Sequence, residues 1–169
     1  MTAVGNQPTP KCPAKLRHAH ADTARWARRL GVPLAANLEL WSAFQAGTVE
    51  LRFFARGALA AQALGHFAGF HAAMFDGFWA HPTSVVTREA CEALLDSCAI
   101  PGKEVFALAA QPEMENALAD ANASAVEAGL FGVPFFRVDQ EIFFGADRLD
   151  FVREYALEAA KWLPPGPLH

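Results

Sequence analysis

Apolar positions recur along this chain with two different periods, and the change of period divides it. From Ala14 to Leu30 the spacing is helical, and Gly31-Val32-Pro33 stops that helix in the usual C-terminal order. Leu34–Gly47 has no clear period and reads as a loop with a turn of helix. Thr48 can cap a helix running to Leu64 and ended by Gly65. His66–Trp79 reads as another helix, whose stripe of Phe67, Phe70, Met74, Phe75 and Phe78 is expected in the core. Thr87 caps a short helix through Cys98, Pro101-Gly102 opens the next, and Pro112 sits in the first turn of a long helix ending at Gly129.

Beyond Gly129 the period shortens. Phe135–Val138 and Glu141–Phe144 flank Asp139-Gln140, which predicts a β-hairpin, although Gln is a mediocre second turn residue. Asp147 can cap the last helix, which runs to about Trp162, with Asp150 adding negative charge near its N-terminus. Residues 1–13 read as an irregular lead-in and the PPGPLH end as a frayed tail. An isolated two-stranded ribbon is marginal in water. The hairpin therefore either packs on helices or pairs with strands from elsewhere. The second option leaves Phe135–Val138 as an apolar edge and predicts a homo-oligomer.

Composition narrows the classes. At 169 residues the chain is one ordinary domain, and its 53% hydrophobic and 19% charged content excludes a disordered one. A formal charge of −4 offers no electrostatic argument for nucleic acid or an anionic membrane. No apolar run reaches the roughly 18 residues that span a bilayer. The N-terminus lacks the segments of a secretion signal, so the cytoplasm is the default expectation. Cys12, Cys91 and Cys98 form no Cys-x-x-Cys pair. On one helix Cys91 and Cys98 would stand about 10 Å apart along the axis, too far for a disulfide. They read as small buried or half-buried side chains. His18, His20, His66, His71 and His81 show no His-x-x-x-His spacing, so no metal site is expected.

One run carries a family likeness. A helix, Gly132-Val133-Pro134, a hairpin, then Gly145-x-Asp147-Arg148-Leu149 and a final helix resembles the C-terminal part of the DsbA-like thioredoxin superfamily. Within it the chain is most similar to the 2-hydroxychromene-2-carboxylate isomerases and kappa-class glutathione transferases. Further pieces agree in order: Gly5-Asn6-Gln7-Pro8, Pro13-Ala14-Lys15, Asp22-x-x-Arg25-Trp26-Ala27-Arg28, His71-Ala72-Ala73-Met74-Phe75 with Trp79, and Lys161-Trp162. The resemblance spans about residues 5–163. It implies an α/β, thioredoxin-like fold of the DsbA type with a helical insertion. The chain would be N-terminally truncated, so that mostly helix plus one C-terminal β-hairpin remains. Residues 1–169 then form a single domain, with a mainly helical insertion region over 14–129 and a C-terminal thioredoxin half over 130–163.

The resemblance also implies a glutathione site. In such proteins the tripeptide lies on a cis-proline loop, pairing with the backbone of the residue before the proline. Val133 and Pro134 match that loop, and an X-Pro bond tolerates cis at a cost of only about 0.5–1 kcal/mol. A Ser-Asp pair holds the γ-glutamyl end in the kappa class; here it is Ala146-Asp147, with the carboxylate kept and the hydroxyl lost. Asn6 matches a ligand-contacting asparagine and Lys15 a lysine facing the same cleft. Phe135 stands where these proteins often carry a small residue or Thr, and can crowd the ligand.

The catalytic serine of these proteins starts a helix that follows an N-terminal strand, where helix N–H groups can stabilise glutathione's thiolate. Met1 falls just before the GNQP segment, so strand, helix and serine lack counterparts here, and Ser42 and Ser84 lie in the wrong context to replace the serine. The expectation is a glutathione-dependent isomerase acting on an aromatic or electrophilic small molecule, impaired by that loss. The alternatives are a non-catalytic glutathione-binding or oligomerising remnant and a thiol-disulfide oxidoreductase, which the missing Cys-x-x-Cys opposes.

Overall fold

Five helix ends in this chain close by the same device. After Gly31, Gly47, Gly65, Ala99 and Gly129, all at positive φ, the next N–H reaches back five residues to a carbonyl: Val32 to Ala27, Thr48 to Ala43, His66 to Ala61, Ile100 to Leu95 and Leu130 to Ala125. This 6→1 bond satisfies a carbonyl that the helix leaves orphaned, and glycine takes the left-handed conformation without a Cβ penalty. Ala99, at φ 58°, is the exception.

The computed structural model describes residues 12–162, and it divides them into two compact units. The first, Cys12–Asn122, holds α1 (Pro13–Leu30), α2 (Leu38–Gln45), α3 (Leu51–Ala63), α4 (Phe67–Phe75) with a π-helical turn Asp76–Ala80, α5 (Arg88–Ser97) and α6 (Gly102–Ala109). The boundary falls inside α7 (Pro112–Glu127). The second unit carries β1 (Phe135–Val138), β2 (Glu141–Phe144), a 3-10 turn Ala146–Arg148 and α8 (Leu149–Trp162).

The core of the helical unit is built by α3, α4, α5 and α6. Phe106 is its centre. It is 1% exposed, its ring stacked on Phe53 at 4.5 Å between centroids and edge-on to Phe70 at 6.2 Å. Helices α5 and α6 approach closely at Gly102, where a Cβ would stand 2.7 Å from the Cα of Glu92. The Gly102 N–H donates to Asp96 Oδ1 at 2.9 Å, so the α5–α6 corner satisfies the first turn of α6. Cys91 is buried among these helices and donates to the Val85 carbonyl. Burial, with the neighbouring carboxylates of Glu89 and Glu92, pushes its thiol up to about 12.

The structure corrects the sequence reading at several points. Leu34–Gly47 contains a full helix, α2, because Asn37 caps it: its side-chain oxygen accepts from the Leu40 N–H at 3.0 Å. The same buried amide donates to the carbonyls of Gly77 and Thr83, at 2.9 Å each, and so ties the start of α2 to the π turn and the loop after it. Thr48 does not cap α3. Its hydroxyl donates to the Ala43 carbonyl and closes α2, while α3 begins at Leu51 after Glu50. Glu50 is drawn instead to Arg56, whose hydrogen bonds hold its carboxyl below the usual range, and Arg56 also reaches Glu115 at 2.9 Å.

The helix expected over His66–Trp79 changes to a π turn at Asp76. Its stripe also splits. Phe70 and Met74 are buried and Phe78 packs on the core, but Phe67 and Phe75 point outward at 45% and 53% exposure, with the His71 ring stacked on Phe75 at 4.2 Å. Positions four apart share a helix face, so Phe67, His71 and Phe75 align with one another and Phe70 aligns with Met74.

The hairpin of the second unit matches its expected ends. β1 and β2 are antiparallel with Phe135 opposite Phe144 and Val138 opposite Glu141, and Asp139 turns the chain at φ 52°. Helix α8 packs on the hairpin, with Tyr155 6.0 Å from Phe143 between ring centroids. This is how an otherwise marginal two-stranded ribbon gains a hydrophobic partner.

Candidate functional site

The loop Phe131–Pro134 enters β1 through a cis peptide bond at Val133–Pro134. The Pro134 carbonyl accepts from the Gly145 N–H at 3.0 Å, which extends the ladder past the strand ends. That bond sets the loop beside the turn leading into α8. Val133, Pro134, Ala146 and Asp147, expected together from sequence, are therefore gathered in one place. Gly132 is buried beneath them, whereas Val133 is 73% exposed. No backbone hydrogen bond engages the Val133 N–H or C=O among the described residues.

Asp147 corrects a second expectation. It does not cap α8 but lies inside the 3-10 turn, and its carboxylate folds back over Gly145, occupying the space a side chain there would need. Gly145 sits at φ 109°, which lets the chain turn this tightly. Asp147 is 60% exposed and pairs with Arg148 at 3.5 Å; the Arg148 guanidinium also lies over the Phe151 ring at 5.9 Å. The carboxylate thus faces solvent with one weak cationic partner. Ala146 is exposed and brings no hydroxyl.

Phe135 is half-buried against Phe131, whose ring also approaches Phe144 at 4.7 Å. These three rings form an aromatic flank beside the loop that reading residue by residue missed. The hairpin register, which sets Phe135 opposite Phe144, is the signal that could have found it. Lys15 is an exposed residue of α1 in the helical unit, and Asn6 lies outside the described residues.

Elsewhere, a shallow open depression of about 310 Å³ is lined by Ala24, Ala27, Arg28, Gly31, Val32 and Leu34. Apart from Arg28 its wall is apolar, and it contains no acid–base pair or nucleophile, so the cis-proline loop is the stronger candidate. Among the described residues no group of three His, Cys, Asp or Glu side chains could share a metal ion, and no helix is long and apolar enough to cross a membrane.

A cis-proline loop, a hairpin and a closing helix together define the C-terminal part of a thioredoxin-type fold. The chain belongs to the DSBA-like thioredoxin domain family, whose model matches residues 1–156. It is 25% identical over 148 residues to a 2-hydroxychromene-2-carboxylate isomerase of Sphingobium xenophagum, a match spanning 85% of this chain and 69% of that protein. The solved structure of a selenomethionine 2-hydroxychromene-2-carboxylate isomerase shares the fold. Its TM-score is 0.76 at 16% identity, over 93% of this chain and 73% of that one.

Proposed function

We propose that the chain derives from a glutathione-dependent isomerase of 2-hydroxychromene-2-carboxylate type, and that its own residues bind the tripeptide without completing the catalytic centre. The observation that carries the reading is the Val133 backbone, exposed and unpaired among the described residues, next to an exposed Asp147 carboxylate. An unpaired N–H and C=O on one residue are what an extended peptide needs for a pair of antiparallel bonds. The Asp147 carboxylate can accept from an α-ammonium group, a charge-assisted bond stronger than a neutral one. Arg148 competes for it, and Ala146 adds nothing to the grip. Lys15 and Asn6 complete the proposed set by resemblance.

When bound, glutathione supplies a thiol whose anion can add reversibly to a conjugated double bond, so that the bond freed of its double character can rotate. The substrate class is accordingly an unsaturated aromatic acid or a similar electrophile, and the setting cytoplasmic. The serine that would hold that anion has no counterpart among the residues of this chain. Ser84 is engaged with Glu39 at 3.1 Å, and Ser42 lies within α2. A binding protein without turnover is the second reading, and this gap favours it.

Calorimetric titration with glutathione separates the two parts of the reading. Binding that weakens about ten-fold in Asp147→Asn, the order expected for loss of a charge-assisted bond of about 1.5 kcal/mol, supports the site. Affinity unchanged by that substitution removes Asp147 from it. Glutathione-dependent isomerisation by this chain should not rise above the uncatalysed rate, and robust turnover would refute the incomplete centre.

A further inference from the structure

We infer that the outer edge of β1 is a self-association site, pairing antiparallel with the same edge of a second copy. The hairpin geometry decides which backbone groups are available. In an antiparallel ladder, hydrogen-bonded and non-hydrogen-bonded pairs alternate. The Gly145 N–H to Pro134 carbonyl bond marks one bonded pair, and the two-residue turn requires Val138 and Glu141 to form another. By alternation Phe136 bonds Phe143, so the N–H and C=O of Phe135 and Arg137 point away from β2. No hydrogen bond engages either backbone on that side. A row of free donors and acceptors is a template for another strand, and sheets normally cover it.

The side chains select the occupant. Of the two-fold registers that keep Phe135 and Arg137 in bonded positions, one opposes Arg137 to itself and is penalised by like charge. The register centred on Phe136 avoids this. It sets each Phe135 opposite the partner's Arg137, a guanidinium against an aromatic face, and brings Phe136 onto its own copy at the axis. Four backbone hydrogen bonds then join the two hairpins into a four-stranded sheet. Such an interface is isologous and closed, so it stops at the dimer. The two-fold axis stands normal to the sheet, so both copies of α8, which packs on the Phe143 side of the hairpin, lie on the same face of it. The strand is its own complement, so no foreign peptide is needed. This inference does not rest on glutathione binding, which engages Val133 instead.

Sedimentation velocity on the full chain over a wide concentration range, with amide hydrogen exchange on the same samples, tests it. The expected result is a monomer–dimer equilibrium in which dimerisation slows exchange at Phe135 and Arg137. Phe135→Glu, which places a carboxylate opposite the partner's Arg137, should tighten the dimer about two- to five-fold. Arg137→Pro removes an N–H that the hairpin itself does not use, so it should abolish the dimer while leaving the circular dichroism spectrum intact. If Arg137→Pro fails to fold, the Phe135→Glu shift decides. A chain monomeric throughout overturns the inference, as does a dimer whose Phe135 and Arg137 amides stay unprotected. Protection of those amides only by an added extended peptide would assign the edge to a foreign strand and also overturn it.

Discussion

In the helical unit Phe106 is enclosed by rings from α3 and α4, and side chains from α3 to α6 surround it below a few per cent exposure. In the hairpin unit Gly132 is the one residue whose burial is complete among those described, while Val133, Ile142, Phe144, Leu149, Phe151 and Leu157 are all more than 40% exposed. Both units are rich in phenylalanine, so hydrophobic content does not explain the contrast. Geometry does. Four short helices converge on one point and exclude water from it, whereas a two-stranded ribbon under a single helix has one open face and an open edge. The first arrangement stores stability; the second presents backbone groups and aromatic surface for something else to meet.

The comparison breaks most visibly at Phe106. Phe106→Ala should cost about 3–5 kcal/mol in denaturant unfolding, the range for emptying a close-packed aromatic site. A loss below about 1 kcal/mol would mean that the helical core is looser than its geometry says. The hairpin counterpart, Phe143→Ala, should cost about 1–2 kcal/mol, because that ring is half-exposed and leans on Tyr155 alone. Equal losses at the two sites would erase the distinction between the units.

The smallest effect is a matter of pH. The folded thiol of Cys91 ionises near 12 against an ordinary value of 9.0, so the folded state favours its neutral form. That contribution is fully present below about pH 9 and is lost as pH rises from there towards 12, where the unfolded chain sheds its proton first. Stability measured by denaturation should therefore decline over that window, and Cys91→Ala should flatten the decline without changing it below pH 9. At neutral pH a thiol reagent should modify exposed Cys98 and spare Cys91, as mass spectrometry of the native protein would report.

Much of the architecture was legible because it rests on local chemistry. Gly31, Gly65 and Gly129 end helices where a left-handed residue is needed, and Thr87 caps α5 through the Ala90 N–H at 3.2 Å. The hairpin bounds follow from alternation and one turn. What escaped depends on partners distant in sequence. Asn37 was visible as a capping residue before a polar–apolar run, but its two bonds to Gly77 and Thr83 exist only in the fold. Thr48 had the right chemistry for a cap, yet the close of α2 claimed its hydroxyl.

The candidate site divides along the same line. The order of Gly-Val-Pro, hairpin and Gly-x-Asp-Arg was enough to name the loop and the family, since these are backbone requirements that particular residues meet. The sequence by itself therefore determined where helices stop, where the ribbon lies and which fold it belongs to. Only the tertiary structure decided that Pro134 is bonded to Gly145, that Asp147 leans over glycine instead of capping α8, and which face of the Phe67–Phe78 stripe is buried. The reason is physical. A turn or a cap is settled within a few residues by local sterics and hydrogen bonds, but burial and the final partner of a side chain are set by whichever surface packs against it.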